Sequence, residues 1–227
     1  MKRLLCLSAL VISAALASSV MAQELDEFIY LPMIFKSPSG QVVISGFTHW
    51  ESYGSLKIVG RIRNETNYNV TYVHFAANLF DSTGRLIDVE DWVYVPLDVF
   101  APGDETCFYA SFWNIEGWSY YEFEEVQYWK TTNEPLQNMT IYDDYGYVES
   151  PGRYRILGFV RNDNSFVVHS VVTIATLFNN SGNIIGCNGY SVSTSPLDPG
   201  QSTSFENYPY WNGEDVASYR LQVDGWY

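Results

Sequence analysis

The chain repeats its own sequence at a spacing of 98 residues, and this repetition constrains the fold more strongly than any other feature. Residues 58–64 (IVGRIRN) correspond to residues 156–162 (ILGFVRN). The correspondence continues downstream and needs only a local shift of one residue. It predicts two copies of one folding unit of about 90 residues, which we place at residues 41–131 and 132–227.

Hydrophobic side chains in both copies recur at every second residue, which is the pattern of strands with one buried face. Leu56, Ile58 and Ile62 follow this pattern in the first copy, and Ile156 and Val160 follow it in the second. The runs are rich in Val, Ile, Tyr, Thr and Phe, which favour strands over helices. The sequence therefore predicts an all-β protein made of two tandem antiparallel β-sandwich domains.

Turn chemistry also recurs between the two copies. Residues 81–84 (DSTG) and 179–182 (NNSG) each end in a glycine that follows a predicted strand. Glycine adopts positive φ without steric cost, so we expect Gly84 and Gly182 to do so between two strands.

The order of these motifs resembles the FxLYD domain family. Each copy carries G-x-[VI]-x-N at a strand end, beginning at Gly60 and Gly158, and a Pro-Gly pair before a later Phe. The signature reads ANLFD at residues 77–81 and ATLFN at residues 175–179, with Ala for the first Phe and Phe for Tyr. The resemblance implies Ig-like β-sandwiches in an exported bacterial protein, and it implies no catalytic residue.

The N-terminus indicates export. Lys2 and Arg3 precede an apolar run over residues 4–16, and small side chains lead to Ala22. This pattern is typical of a cleavable signal peptide over residues 1–22, with an uncleaved anchor as the alternative. We expect a secreted or cell-surface protein without a membrane span after cleavage. Residues 23–40 form an apolar and then polar linker segment whose role stays open.

Charge and cysteine content narrow the partners. Beyond residue 22 the chain has ten basic and twenty-six acidic residues, a net charge of −16. This surface disfavours nucleic acid and anionic membranes. Cys107 and Cys187 are the cysteines left after cleavage. An exported location permits a disulfide between them, and two buried thiols are the alternative.

Chemistry-bearing residues form no recognisable catalytic pattern. His49, His74 and His169 do not recur at the 98-residue spacing, and no nucleophile elbow, phosphate loop or zinc motif occurs. Asp143, Asp144 and Glu149 offer hard oxygen ligands, but without the spacing of an EF-hand loop. We therefore expect no enzyme, no cofactor and no metal.

Aromatic residues are unusually frequent, with seven Trp, eighteen Tyr and thirteen Phe. Trp113 and Trp211 recur at the repeat spacing, which predicts a structural role for both. The candidates that do not recur are Trp50, Trp92, Trp118 and Trp129, with Tyr145, Tyr147, Tyr208 and Tyr210. Exposed rings on a β-sandwich stack on sugars, whereas buried rings fill the cores and the contact between domains.

Two functions follow from these features. The first is a non-enzymatic structural or protein-interaction protein, whose partner is an unknown extracellular protein or the cell envelope. The second is a pair of carbohydrate-binding modules that bind a glycan through exposed Trp and Tyr rings. Exposed, aligned rings on one face favour the second function.

Overall fold

A computed structural model describes residues 40–113 and 115–227, and these residues contain sixteen strands and no helix. The predicted signal peptide and residues 23–39 of the predicted linker segment lie outside the described residues. All strand pairs are antiparallel, which confirms the predicted all-β antiparallel architecture. No helix in the described part of the chain is long and apolar enough to cross a membrane.

The strands follow one another closely along the chain. They are β1 (Val42–Ser52), β2 (Ser55–Asn64), β3 (Val70–His74), β4 (Ala77–Asp81), β5 (Leu86–Glu90), β6 (Val99–Phe100), β7 (Glu105–Trp113), β8 (Trp118–Phe123), β9 (Gln127–Lys130), β10 (Met139–Ser150), β11 (Arg153–Asn162), β12 (His169–Phe178), β13 (Ile184–Ser191), β14 (Ser202–Asn207), β15 (Tyr210–Trp211) and β16 (Ser218–Trp226).

The strands form five sheets, and no sheet mixes strands from before and after residue 131. The first half (residues 40–131) contains the sheets β1-β2-β7, β6-β3-β9 and β5-β4-β8. The second half (residues 132–227) contains β10-β11-β14 and β15-β13-β12-β16. The sheets β1-β2-β7 and β10-β11-β14 are built in the same way. Two consecutive strands form a hairpin, and a later strand pairs with the free edge of the second strand.

Each half has an apolar core of its own, built from the alternating residues of its strands. The core of the first half includes Leu56, Ile58, Phe75, Leu79, Phe100 and Phe108. The core of the second half includes Ile156, Val160, Val171, Leu177, Leu197 and Phe205. The side chains of Leu56, Ile58 and Ile156 are fully buried, as their alternation predicts.

A glycine faces a phenylalanine ring in both cores. Gly60 pairs with Phe108 across β2 and β7, and Gly158 pairs with Phe205 across β11 and β14. A Cβ atom at Gly158 would lie 2.8 Å from the Phe205 ring, and one at Gly60 would overlap the Phe108 ring. The glycine of the repeated motif is therefore required because the ring occupies the space that a side chain would need.

The asparagine of the motif is buried and saturated with hydrogen bonds. Asn64 Nδ2 donates to the carbonyl oxygens of Tyr68 and Phe100 at 2.9 and 3.0 Å, and its Oδ1 accepts the Thr66 N–H. Asn162 does the same with the carbonyl oxygens of Phe166 and Leu197 and with the Asn164 N–H. One amide thus anchors two loops to the end of a core strand in each half.

The predicted turn conformations are confirmed. Gly84 and Gly182 have φ of 82° and 76°. The side chain of Asp81 accepts the N–H groups of Thr83 and Arg85, and Asn179 accepts the N–H groups two and four residues on in the same way. These side chains hold the turn closed.

We expect Asn64→Ala to destabilise the protein by about 3 kcal/mol, because it removes three hydrogen bonds of a buried amide, to the Phe100 and Tyr68 carbonyls and from the Thr66 N–H. The Thr66 hydroxyl still donates to the Tyr68 carbonyl, so the loss falls mainly on the Phe100 carbonyl and the Thr66 N–H. The measurement is chemical denaturation followed by tryptophan fluorescence. Asn78→Ala is the matched control, because the Asn78 amide bonds Glu124 at an exposed site. Equal losses in the two variants would contradict the anchoring role of Asn64.

The two halves are in direct contact along a seam. Val59 and Cys107 of the first half form a fully buried cluster with Ile174, Ile184 and Cys187 of the second. Cys107 and Cys187 are joined in a disulfide with a Cα–Cα distance of 5.8 Å. The disulfide therefore links β7 to β13 across the seam and fixes one half against the other.

Asp224 is the buried acid of this seam, with 8% of its surface exposed. Its Oδ2 accepts the Asp98 N–H of the first half at 2.7 Å, and its Oδ1 accepts the Gly225 N–H. Burial raises the pKa of Asp224 from 3.8 to about 6, and these hydrogen bonds only partly offset the effect. The charged carboxylate therefore weakens the folded state at neutral pH.

Since the folded pKa of Asp224 lies above the unfolded value, its protonated form stabilises the fold below pH 4, and this stability is lost as pH rises through 6. We expect the stability of the parent protein relative to Asp224→Asn to rise by about 2 kcal/mol when the pH is lowered from 7 to 4. Denaturant titrations of both proteins across this range measure the shift. A pH-independent difference would contradict the assignment.

Candidate functional site

The sheets β1-β2-β7 and β10-β11-β14 each have one face toward the core of their own half and one face that points away from it. These outward faces differ in what covers them. In the first half this face carries Val59 and Cys107 and packs on the second half. We call it the covered face. In the second half the positions related by the repeat are Leu157, which is half-buried, and Ser204, which is exposed and whose hydroxyl lies 3.2 Å from that of Ser193. We call this second surface the open face.

The open face is aromatic. Tyr142, Tyr145 and Tyr147 of β10 stand opposite Phe159, Leu157 and Arg155 of β11, so these side chains share one side of the sheet. The exposed fractions of the Tyr145, Tyr147 and Phe159 side chains are 56%, 36% and 43%.

The rings on this face are aligned in nearly parallel pairs. The centroids of Tyr145 and Tyr147 are 6.0 Å apart with planes 18° from parallel, and those of Tyr142 and Phe159 are 5.5 Å apart at 20°. The backbone pleat sets this alignment, because side chains two residues apart on a strand point the same way. The result is an exposed, amphipathic aromatic surface.

Charged side chains border the rings and neutralise one another. Arg155 bonds Glu149 and Glu206, each at 2.9 Å, and also donates to the Tyr147 hydroxyl. Arg153 bonds Glu149 at 2.8 Å. The Tyr208 hydroxyl donates to Glu206, and this bond together with Arg155 lowers the pKa of that carboxyl. The network holds its members in place.

A cleft at the seam continues from this network. It encloses about 250 Å³ and is lined by Trp50, Ser52, Lys57, Gly152, Arg153, Tyr208, Pro209, Tyr210 and Trp211. We call it the seam cleft. Both halves contribute to it, since Trp50 and Lys57 belong to β1 and β2 and the remaining rings come from the second half.

Lys57 is the most unusual group in the seam cleft. Its ammonium lies 4.0 Å from the centre of the Trp113 ring and 5.5 Å from that of Tyr210, and it donates to the Ser111 hydroxyl. Burial lowers its pKa. Within residues 40–113 and 115–227 no carboxylate forms an ion pair with it.

The four predicted tryptophans occupy separate environments, and no ring contact joins any two of them in the described chain. Trp50 lines the seam cleft. Trp118 donates from Nε1 to Glu51 at 2.8 Å. Trp92 is stacked on His74 at 4.1 Å, and Trp129 lies 4.7 Å from Tyr72. Trp92 and Trp129 are 57% and 64% exposed.

The two recurring tryptophans have different roles. Trp211 is buried, packs on Tyr154 at 5.7 Å and donates to the Glu214 carbonyl, as its predicted structural role requires. The same prediction is wrong for Trp113, which is 66% exposed and lies against Lys57. Conservation of residue type within the repeat therefore did not preserve burial, because a different neighbour surrounds each ring.

The acidic residues weighed as calcium ligands are engaged elsewhere. Asp144 accepts the Tyr219 hydroxyl at 2.7 Å, and Glu149 binds Arg153 and Arg155. Among the described residues no group of three or more His, Cys, Asp or Glu side chains is arranged to hold a metal ion.

Sequence reasoning identified the rings of this region but not its cations. Tyr145, Tyr147, Tyr208 and Tyr210 were candidates because they do not recur, and the structure places all four on the open face or in the seam cleft. Lys57 and Arg153 were not singled out. The available signal was Lys57 itself, a cation between Leu56 and Ile58 in an acidic chain.

Comparison with known proteins adds no assignment: the chain matches no protein-family model, and no curated protein is significantly similar to it.

Proposed function

We propose that this protein is an exported, non-enzymatic interaction protein made of two tandem Ig-like β-sandwich modules, residues 41–131 and 132–227. Its open face docks on another extracellular protein or on a component of the cell envelope. One observation carries the proposal: Tyr145 and Phe159 are exposed on this face, whereas the corresponding face of the first module is buried.

Repeated contacts support the assignment of two modules. Asn64 and Asn162 make corresponding hydrogen bonds, and Gly60 and Gly158 each accommodate a facing phenylalanine. These contacts are local to each half, and each half has a separate core. A duplicated sandwich explains both facts.

The covered face supports docking by the open face. It is the corresponding surface of the first module, and it already packs against a β-sheet of the second module. On the open face, tyrosine, phenylalanine and arginine (Tyr145, Phe159 and Arg155) stand where the covered face has Thr48, Arg61 and Lys57. Tyrosine and arginine are enriched at protein interfaces and among the residues that dominate binding energy.

Export is supported by two independent features. The N-terminal 22 residues have the composition of a signal peptide. The Cys107–Cys187 disulfide is suited to an oxidising compartment, where such bonds persist.

The docking proposal predicts the effect of removing the rings. A photoreactive residue placed at Tyr147 in the secreting cell identifies the partner, and calorimetry with that purified partner follows. We expect Tyr145→Ser with Phe159→Ser to weaken binding about 100-fold or more, since each ring supplies buried aromatic contact.

The matched control is Tyr72→Ser with Trp129→Ser, a pair of exposed rings on the first half. We expect this pair to leave the affinity for the same partner nearly unchanged. Similar losses in both double variants, or none in either, would contradict docking through the open face.

Carbohydrate binding is the second candidate, and the exposure of Trp92, Trp113 and Trp129 favours it. Exposed aromatic faces stack on sugar rings, and three tryptophans of the first half are more than half exposed. If sugars stack on Trp129 and Tyr72, a glycan array probed with the protein gives binding signals. We expect Trp129→Ala to reduce those signals. An array without signal at any glycan would exclude this candidate.

A further inference from the structure

The seam cleft differs from the open face in shape and charge. It is concave, and its volume of about 250 Å³ is slightly below the range of about 300–1,000 Å³ common for drug-sized ligands. The cleft therefore accommodates a single ring rather than an extended molecule. Trp50, Tyr208, Tyr210 and Trp211 supply aromatic walls for such a ring.

Lys57 provides a positive charge that the described protein does not neutralise. The comparison with the other copy is direct, because Arg155 occupies the position 98 residues later. Arg155 has Glu206 at 2.9 Å, whereas β7 carries Tyr109 at the position equivalent to Glu206. Lys57 therefore retains its charge without the carboxylate that neutralises its counterpart.

The surroundings of Lys57 keep this charge available. Trp113 and Tyr210 stabilise the ammonium through their ring faces, and the Ser111 hydroxyl accepts one of its hydrogens. Neither ring removes the formal charge. Partial burial strengthens the attraction of the ammonium for an anion relative to an exposed lysine.

Arg153 adds a second cation to the same cleft. Its guanidinium lies 4.5 Å from the centre of the Tyr208 ring, and its Nε bonds Glu149. The cleft thus combines an unpaired cation, Lys57, and the Glu149-paired Arg153 with four aromatic walls on a chain whose net charge after the signal peptide is −16. A neutral sugar would use the rings but would leave Lys57 without an anionic partner.

We propose that the seam cleft binds a single acidic sugar residue, a pyranose ring that carries a carboxylate. The ring stacks on the aromatic walls around Trp50 and Tyr210, and its carboxylate pairs with Lys57. This inference rests on the second candidate function, carbohydrate binding, and names a ligand class and a site for it apart from Trp129 and Tyr72. It is independent of protein docking at the open face.

The test is calorimetric titration of the intact exported chain with monomeric galacturonate and with its methyl ester, which has the same ring without the charge. Tryptophan fluorescence gives a second readout, because Trp50 and Trp211 line the cleft. We expect the acid to bind about tenfold or more tightly than the ester. We also expect the affinity for the acid to fall as salt rises.

Variants assign the site. Lys57→Gln is expected to weaken binding of the acid about tenfold and to leave binding of the ester unchanged. Lys57→Arg, which keeps the charge, is expected to retain most of the affinity. Lys130→Gln is the matched control, since its ammonium also lies over a ring, 4.9 Å from the centre of Tyr68, outside the cleft. Unchanged melting temperatures show that each variant folds.

The outcomes separate this inference from the function on which it rests. Equal binding of acid and ester, unaffected by Lys57→Gln, would overturn the acidic-sugar assignment and leave carbohydrate binding standing. Binding that Lys130→Gln weakens as much as Lys57→Gln would overturn the placement in the seam cleft. No binding of either ligand, together with a blank glycan array, would overturn both.

Discussion

The packing of Val59 and Cys107 against Ile174, Ile184 and Cys187 determines most of what the remaining surface can do. This contact buries the outward face of one hairpin sheet and leaves the related face of the other exposed. It also places Trp50 of β1 and Lys57 of β2 beside Tyr208 and Tyr210 of the second half, which creates the seam cleft. The disulfide fixes this arrangement covalently, so the cleft does not depend on two independently moving halves.

Inside each half, stability depends on a few polar and steric constraints as well as on apolar burial. A buried asparagine satisfies two loop carbonyls, and the glycine four residues earlier makes room for a ring. Because these contacts specify loop position and strand approach, Asn64 and Gly60 cannot vary freely. The same physical requirement at Asn162 and Gly158 explains why both residues recur although Arg61 of the first copy is replaced by Phe159 in the second.

The buried positions and the turns were predictable from the sequence, because both depend on neighbouring residues of one strand or turn. Alternation identified the buried positions of β2 and β11, and the terminal glycines identified the turns. A disulfide between Cys107 and Cys187 was one of two alternatives that the sequence left open. The sheet faces that meet at the seam were not predictable, because nothing in the sequence indicates that both Ile58 and its neighbour Val59, on opposite faces of β2, are buried. For the same reason the exposure of Trp113 escaped prediction: its environment depends on Lys57 and on the other half. The cleft combines residues more than 90 positions apart, which spacing alone does not bring together.

The two copies have diverged where their outward faces have different neighbours. Thr48 and Cys107 on the covered face correspond in strand register to Tyr145 and Ser204 on the open face. The covered face also carries rings, but its Trp50 and Tyr109 pack against the cluster that Val59 forms with Ile174 and Cys187. The open face has no such cover, and its large rings remain in solvent although burial would stabilise them. Exposed rings of this kind gain their stabilising contacts only when a ligand or partner covers them, which is the physical reason to assign binding to the second half and to its border with the first.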